Sequence, residues 1–122
     1  MYLLKVESNF CAAHKLIDYS GPCNRLHGHN WRVILNVKTE ILNSVGIGID
    51  FKDLKVILND ILDQLDHRML NDIPPFDKIN PTAENISAYV FDSVQNKLPE
   101  SIFVDCVELY ESDKYSVKYY KQ

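Results

Sequence analysis

From His27 to Lys38 the chain reads HGHNWRVILNVK and alternates without a break. His27, His29, Trp31, Val33, Leu35 and Val37 occupy one set of positions; Gly28, Asn30, Arg32, Ile34, Asn36 and Lys38 occupy the other. Side chains of a strand point to opposite faces with a period of two. This segment is therefore a strand with one strongly apolar face. The same face carries two imidazoles, two positions apart.

The rest of the chain supplies partners for that face. From Met1 to Phe10, Tyr2, Leu4, Val6 and Ser8 alternate with Leu3, Lys5, Glu7 and Asn9, as in a half-buried strand. FCAAH follows, then a looser stretch, KLIDYSGPCNR, in which Gly21–Pro22 signals a turn. After the alternating strand comes a connection containing Gly46 and Gly48. Asp50 can cap a helix over about 51–64, with Asp53 in its first turn and Phe51, Leu54, Ile57, Leu58, Ile61 and Leu65 at helical spacing. Pro74 and Pro75 cannot continue it. Thr82 is the candidate cap of a second helix, whose stripe is Ile86, Tyr89, Val90, Val94 and Leu98 and which Pro99 closes. Two further alternating runs, Phe103–Glu111 and Tyr115–Tyr119, read as an antiparallel pair joined around Ser112, Asp113 and Lys114. The order ββααββ predicts one α+β domain over residues 1–122: a four-stranded antiparallel sheet with two helices on one face.

Composition narrows the partners. With 13 Lys and Arg against 17 Asp and Glu, the formal charge is 13 − 17 = −4, which gives no general reason to expect nucleic acid. No run of about 18 apolar residues suggests a membrane span, and MYLLKVESNF lacks the parts of a signal peptide. Three cysteines, Cys11, Cys23 and Cys106, make no dense disulfide framework. These features point to a reducing, cytoplasmic setting with no membrane partner.

The residues that carry chemistry are few. His27 and His29 point to one face, and His14 can return beside them across an antiparallel pair; together they form a candidate open three-histidine zinc site. Unrelated, semi-buried histidines are the plain alternative. Cys23, just past the Gly-Pro turn, can act as a base, bind the metal or be a small buried side chain. Asp66 and His67 are adjacent at a helix end: a carboxylate that can orient an imidazole, or a solvated terminus. Glu111 is a strand-end carboxylate able to accept two hydrogen bonds. Lys15, Arg25 and Lys118 can meet phosphate or remain surface charges.

Taken in order, NFCAAH, CNRLHGHN, GIDFKDLK, LDHRMLND, NPTAEN and YES resemble the 6-pyruvoyl-tetrahydropterin synthase and 6-carboxy-tetrahydropterin synthase family across residues 9–112. Three residues separate Cys23 from His27, a spacing that resembles the 6-carboxy-tetrahydropterin synthases of the queuosine pathway. The resemblance implies the tunnelling fold and a homohexamer whose active sites lie at subunit interfaces. It also implies zinc on His14, His27 and His29, Cys23 as general base, Asp66 and His67 as a second acid–base element, and Glu111 as the pterin anchor. The implied reaction converts 7,8-dihydroneopterin triphosphate to 6-carboxy-5,6,7,8-tetrahydropterin, releasing acetaldehyde and triphosphate. The alternatives are the pyruvoyl synthase reaction, an aldolase-like cleavage, or a non-enzymatic zinc-stabilised module. Ser112 stands where the family commonly has threonine and keeps the hydroxyl.

Overall fold

A computed structural model of the chain describes residues 1–21 and 24–122. Strands β1 (Tyr2–His14) and β2 (His27–Thr39) pair antiparallel over their full length, from Tyr2 opposite Thr39 to His14 opposite His27. The first strand thus continues beyond Phe10 through FCAAH. Its alternation survives there: Phe10, Ala12 and His14 are buried, whereas Cys11 is exposed. Two apolar faces brought into this register make a continuous surface for the helices.

Helix α1 (Phe51–Leu62) begins where Asp50 accepts a hydrogen bond from the Lys52 N–H at 2.7 Å. It buries Leu54, Leu58, Ile61 and Leu62. A short strand β3 (Arg68–Met69) and a 3₁₀ turn at Leu70–Asp72 follow. Helix α2 (Ala83–Gln95) is capped by Thr82, whose hydroxyl accepts from the Asn85 N–H at 3.1 Å. It ends before Leu98 because Lys97 bonds back to Val94 over three residues, a tighter final turn. Strands β4 (Phe103–Ser112) and β5 (Tyr115–Tyr119) complete a sheet of order β3-β1-β2-β4-β5.

Four of these strands are the expected antiparallel ones. The fifth, β3, runs parallel to β1 at Ala12 and Ala13. Two residues have no alternation to read. A second departure lies in β4, where the register with β2 shifts between Asn36 and Val37. Val104 and Val107 are consequently both buried although they differ in parity. The extra residue of a bulge reverses which face later side chains take.

Both helices cover the face that carries Trp31, Val33, Leu35 and Val37, all fully buried. Leu54 and Leu58 of α1, Ile86, Val90 and Val94 of α2, and Val107 and Leu109 of β4 close the same core. The opposite face is polar. There Arg32 reaches Glu7 at 3.2 Å and lies 4.0 Å from the Tyr110 ring centroid. Exposed pairs of this kind contribute little, so stability resides in the helix-covered side. Among the described residues, no helix is long and apolar enough to cross a membrane.

The two sides of α1 separate this burial experimentally. Leu58→Ala removes a fully buried side chain and is expected to lower the unfolding free energy by about 2–5 kcal/mol. Val56→Ala, at a position 53% exposed, should stay within about 0.5 kcal/mol. Urea denaturation of both variants checks the assignment; equal losses would contradict it.

Candidate metal centre

The β1–β2 register brings the three histidines together. His14 lies opposite His27, and His29 faces the same side two residues on. The ring centroids of His14 and His27 are 4.5 Å apart, those of His27 and His29 4.7 Å, and those of His14 and His29 5.1 Å. Trp31 packs edge-on against His14 and His29 and donates its indole N–H to the Ala12 carbonyl at 3.3 Å. The cluster therefore stands at one end of the hydrophobic core.

Glu111 is the fourth member. It follows buried Leu109 by two positions and sits where the β4–β5 register breaks between Tyr110 and Ser112. One ligand atom from each of His14, His27, His29 and Glu111 falls within 4.8 Å of the others. Sequence reasoning assigned Glu111 to a pterin ring; its closeness to the imidazoles follows from the β2–β4 register, which pairs Val33 with Leu109 and so places Glu111 on the histidine face, a pairing the sequence alone did not give.

The hydrogen bonds settle which nitrogens face inward. His14 Nδ1 contacts the Pro81 carbonyl at 2.7 Å, and His27 Nδ1 contacts the Arg25 carbonyl at 2.7 Å. A carbonyl only accepts, so each Nδ1 carries the proton and each Nε2 presents a lone pair. His14 Nε2 and His29 Nε2 are buried without a hydrogen-bond partner among the described residues. His29 Nε2 does approach Glu111 Oε1 at 3.0 Å, but the contact is not aligned as a hydrogen bond. Buried ring nitrogens without a partner are costly, and a cation among them would offset that cost. Three imidazoles, two of them with outer carbonyl partners, are a donor set suited to zinc and to related divalent metals.

Burial, more than any other influence, holds His14 and His29 below the ordinary histidine pKa. For His14 the Pro81 carbonyl opposes this, and His27 and His29 reinforce it. For His29, Glu111 opposes it. Both rings are thus favoured in the neutral form that a metal requires.

The expected acid–base pair is in contact. Asp66 Oδ2 lies 2.9 Å from His67 Nδ1, while Asp66 Oδ1 accepts the Cys11 N–H at 2.8 Å. The Cys11 hydrogen bond, followed by that to His67, holds the Asp66 carboxyl below its usual range. His67 adopts φ 59°, uncommon for a residue with a side chain, and its N–H donates to the Cys11 carbonyl at 2.6 Å. The pair is fastened to the edge of β1 and is not among the residues gathered around the histidines. Cys23 lies outside the described residues. Lys118 stands 3.8 Å from Glu108, and Arg25 contributes its backbone carbonyl to His27. Sequence reasoning missed the asparagines Asn71, Asn80 and Asn85 around His14; only their occurrence in LNDIPPF and NPTAEN hinted at them.

Fold and site together define an α+β protein with a candidate three-histidine, one-glutamate divalent-metal centre. The family model described as 6-pyruvoyl tetrahydropterin synthase matches residues 3–122, and the chain belongs to this family of pterin-converting lyases. It is 33% identical over 119 residues to the human 6-pyruvoyl tetrahydrobiopterin synthase, covering 94% of this chain and 81% of that one. It is 35% identical over 100 residues to the 6-carboxy-5,6,7,8-tetrahydropterin synthase of a Synechocystis strain, covering 78% and 76%. The solved structure of the Caenorhabditis elegans 6-pyruvoyl tetrahydropterin synthase superposes with a TM-score of 0.86 at 26% identity, over 99% of this chain and 96% of that one. The architecture is accordingly the tunnelling fold.

Two measurements follow from this geometry. His27→Ala should abolish stoichiometric zinc uptake by the purified protein; elemental analysis showing full occupancy would remove His27 from the ligand set. In the metal-free protein, the unfolded state binds more protons than the native state once pH falls below about 6.5, because the native His14 and His29 are held lower. The stability contribution of the neutral rings is present above that pH and is lost progressively below it. Urea midpoints of apoprotein should therefore fall from pH 7.5 to pH 5.5, and His14→Gln should flatten this dependence. A midpoint unchanged across that range would contradict the burial argument.

Proposed function

We propose that the protein is a zinc-dependent lyase that eliminates triphosphate from 7,8-dihydroneopterin triphosphate and leaves a 6-pyruvoyl side chain. The observation that carries this reading is the gathering of His14, His27, His29 and Glu111, one ligand atom of each within 4.8 Å of the others, with two buried Nε2 atoms that have no hydrogen-bond partner among the described residues. The family model and the human relative support the pyruvoyl product.

Zinc held by His14, His27 and His29 would supply a Lewis acid that favours ionisation of side-chain hydroxyls. Glu111 would accept two hydrogen bonds from the amino-pyrimidinone edge, anchoring the ring beside the metal ligands. The Cys23 thiolate would take a proton from the side chain. Asp66, kept ionised by the Cys11 N–H, would hold the proton on His67 Nδ1, so that Nε2 exchanges a proton elsewhere on the side chain. Triphosphate departs with the electron pair of its carbon–oxygen bond, and no redox partner is needed. The His67 side chain is 79% exposed, which suits delivery to the site of a neighbouring copy in a homo-oligomer.

A second product has its own support. The three-residue spacing between Cys23 and His27 and the Synechocystis relative favour a 6-carboxy-tetrahydropterin synthase, in which carbon–carbon cleavage also releases acetaldehyde. Mass spectrometry of products from zinc-loaded protein and 7,8-dihydroneopterin triphosphate decides between them. A 6-pyruvoyl pterin with triphosphate is the expected result; 6-carboxy-5,6,7,8-tetrahydropterin with acetaldehyde would replace that product while keeping the elimination. No turnover by folded, zinc-loaded protein would overturn the enzymatic reading on this substrate. Cys23→Ala should lower turnover at least about 100-fold with zinc retained, and normal turnover in that variant would remove Cys23 from the mechanism.

A further inference from the structure

We propose that Asn85 and Asn80, assisted by Asn71, are positioning residues that hold His14 in the single tautomer and backbone position its role as a metal ligand demands. The inference rests on the metal reading of the histidine cluster. It begins from a gap in the sheet. His14 is the last residue of β1 paired with β2, yet it is the most deeply placed of the three histidines, 2% exposed. A strand end without a partner would fray.

Two side-chain amides take over the pairing. The Lys15 N–H donates to Asn71 Oδ1, and Asn71 Nδ2 donates to the Lys15 carbonyl, both at 3.0 Å. The Ile17 N–H donates to Asn80 Oδ1, and Asn80 Nδ2 donates to the Ile17 carbonyl, both at 2.8 Å. A primary amide carries one acceptor oxygen and a donor nitrogen, so it can bond a residue's N–H and C=O at once, as a neighbouring strand does. Lys15 and Ile17 are two apart and expose these groups on the same edge. Asn71 and Asn80 thus extend the pairing beyond the metal ligand.

The ring is held from the same segment. Pro81, which accepts the His14 Nδ1 proton, is buried and directly follows Asn80. The carbonyl of Asn80 in turn accepts from Asn85 Nδ2 at 2.9 Å, while the Asn85 N–H goes to the Thr82 cap at 3.1 Å. Asn85 therefore bonds on both sides of Pro81. With the proline ring limiting φ, the direction of the Pro81 carbonyl is set between the two bonds. That carbonyl decides which His14 nitrogen keeps the proton. Loss of its alignment would let the proton move to Nε2 and occupy the lone pair the metal needs. The NPTAEN segment thus serves the metal centre without contributing a ligand.

Zinc affinity measured by competition with a chelating indicator, together with the imidazole ¹⁵N spectrum of metal-free protein, tests this. Asn85→Ala and Asn80→Ala are expected to weaken zinc binding by about 10–100-fold, as losses of outer-sphere partners do. The His14 signal should shift from the Nδ1–H form towards Nε2–H. Asn85→Asp keeps the side-chain shape, favours the first turn of α2 and cannot donate to the Asn80 carbonyl; it should show the same loss from a fully folded protein. Asn43→Ala, which removes two comparable hydrogen bonds, to the Val45 and Ile47 N–H groups in the β2–α1 connection, should leave both readouts unchanged. Parent-like zinc affinity and tautomer in Asn85→Asp, or an equal loss in Asn43→Ala, would overturn the proposal. If the parent takes up no zinc, the metal reading fails, and the tautomer shift alone decides whether Asn85 governs His14.

Discussion

The antiparallel pairing of β1 with β2, from Tyr2–Thr39 to His14–His27, is the constraint on which both core and site depend. A slip of one residue turns every side chain of a strand to the other face. It would carry Trp31, Val33, Leu35 and Val37 out from beneath the helices, an exposure costing roughly 1.5–3 kcal/mol for each large side chain. The same slip would separate His14 from His27. The apolar positions downstream therefore hold the histidines in place: the register that buries the core is the register that aligns the imidazoles.

This arrangement carries an electrostatic cost that the metal-free chain does not offset. His14 and His29 are desolvated, lie near another imidazole, and present buried Nε2 atoms with no hydrogen-bond partner among the described residues. Each such group costs on the order of 1–3 kcal/mol. Protonating the rings would bring Glu111 into a favourable pairing but would place several cations within 4.8 Å of one another. A divalent ion among the imidazoles would offset both costs. The carbonyls of Pro81 and Arg25 suit such an ion, since each holds the proton on the nitrogen facing away from the cluster.

Much of this was legible before any coordinates. The alternation of β2 placed His27 and His29 together, and the helix caps Asp50 and Thr82 are where their residue types and following stripes required them. What was not legible is what alternation cannot encode. β3 is too short to have a period, and the β4 bulge moves later residues to the opposite face without a marker in the sequence. Glu111 joins the histidines through the long-range pairing of β4 with β2, and the asparagine bridges to Lys15 and Ile17 span separations of 56 and 63 residues. Long-range hydrogen bonds leave no local periodic trace, so NPTAEN could be noticed as a motif but not assigned a task.

The placement of Asp66 and His67 completes the physical account. Both are tied to the Cys11 backbone, Asp66 by its carboxylate and His67 by its N–H, so they ride on the strand that ends in His14, yet they are not in the histidine cluster. Asp66 is 31% exposed at its side chain and held ionised, while His67 extends into solvent with its Nδ1 proton engaged. The turn at His67 carries backbone strain at φ 59° with no local gain in packing. Strain of that kind is sustained where surrounding hydrogen bonds enforce it, as the Cys11 backbone does here. The two hydrogen bonds to Cys11 keep the φ 59° turn at His67 in place, and with it the exposed imidazole and its carboxylate partner, at the end of β1 but away from the histidine cluster.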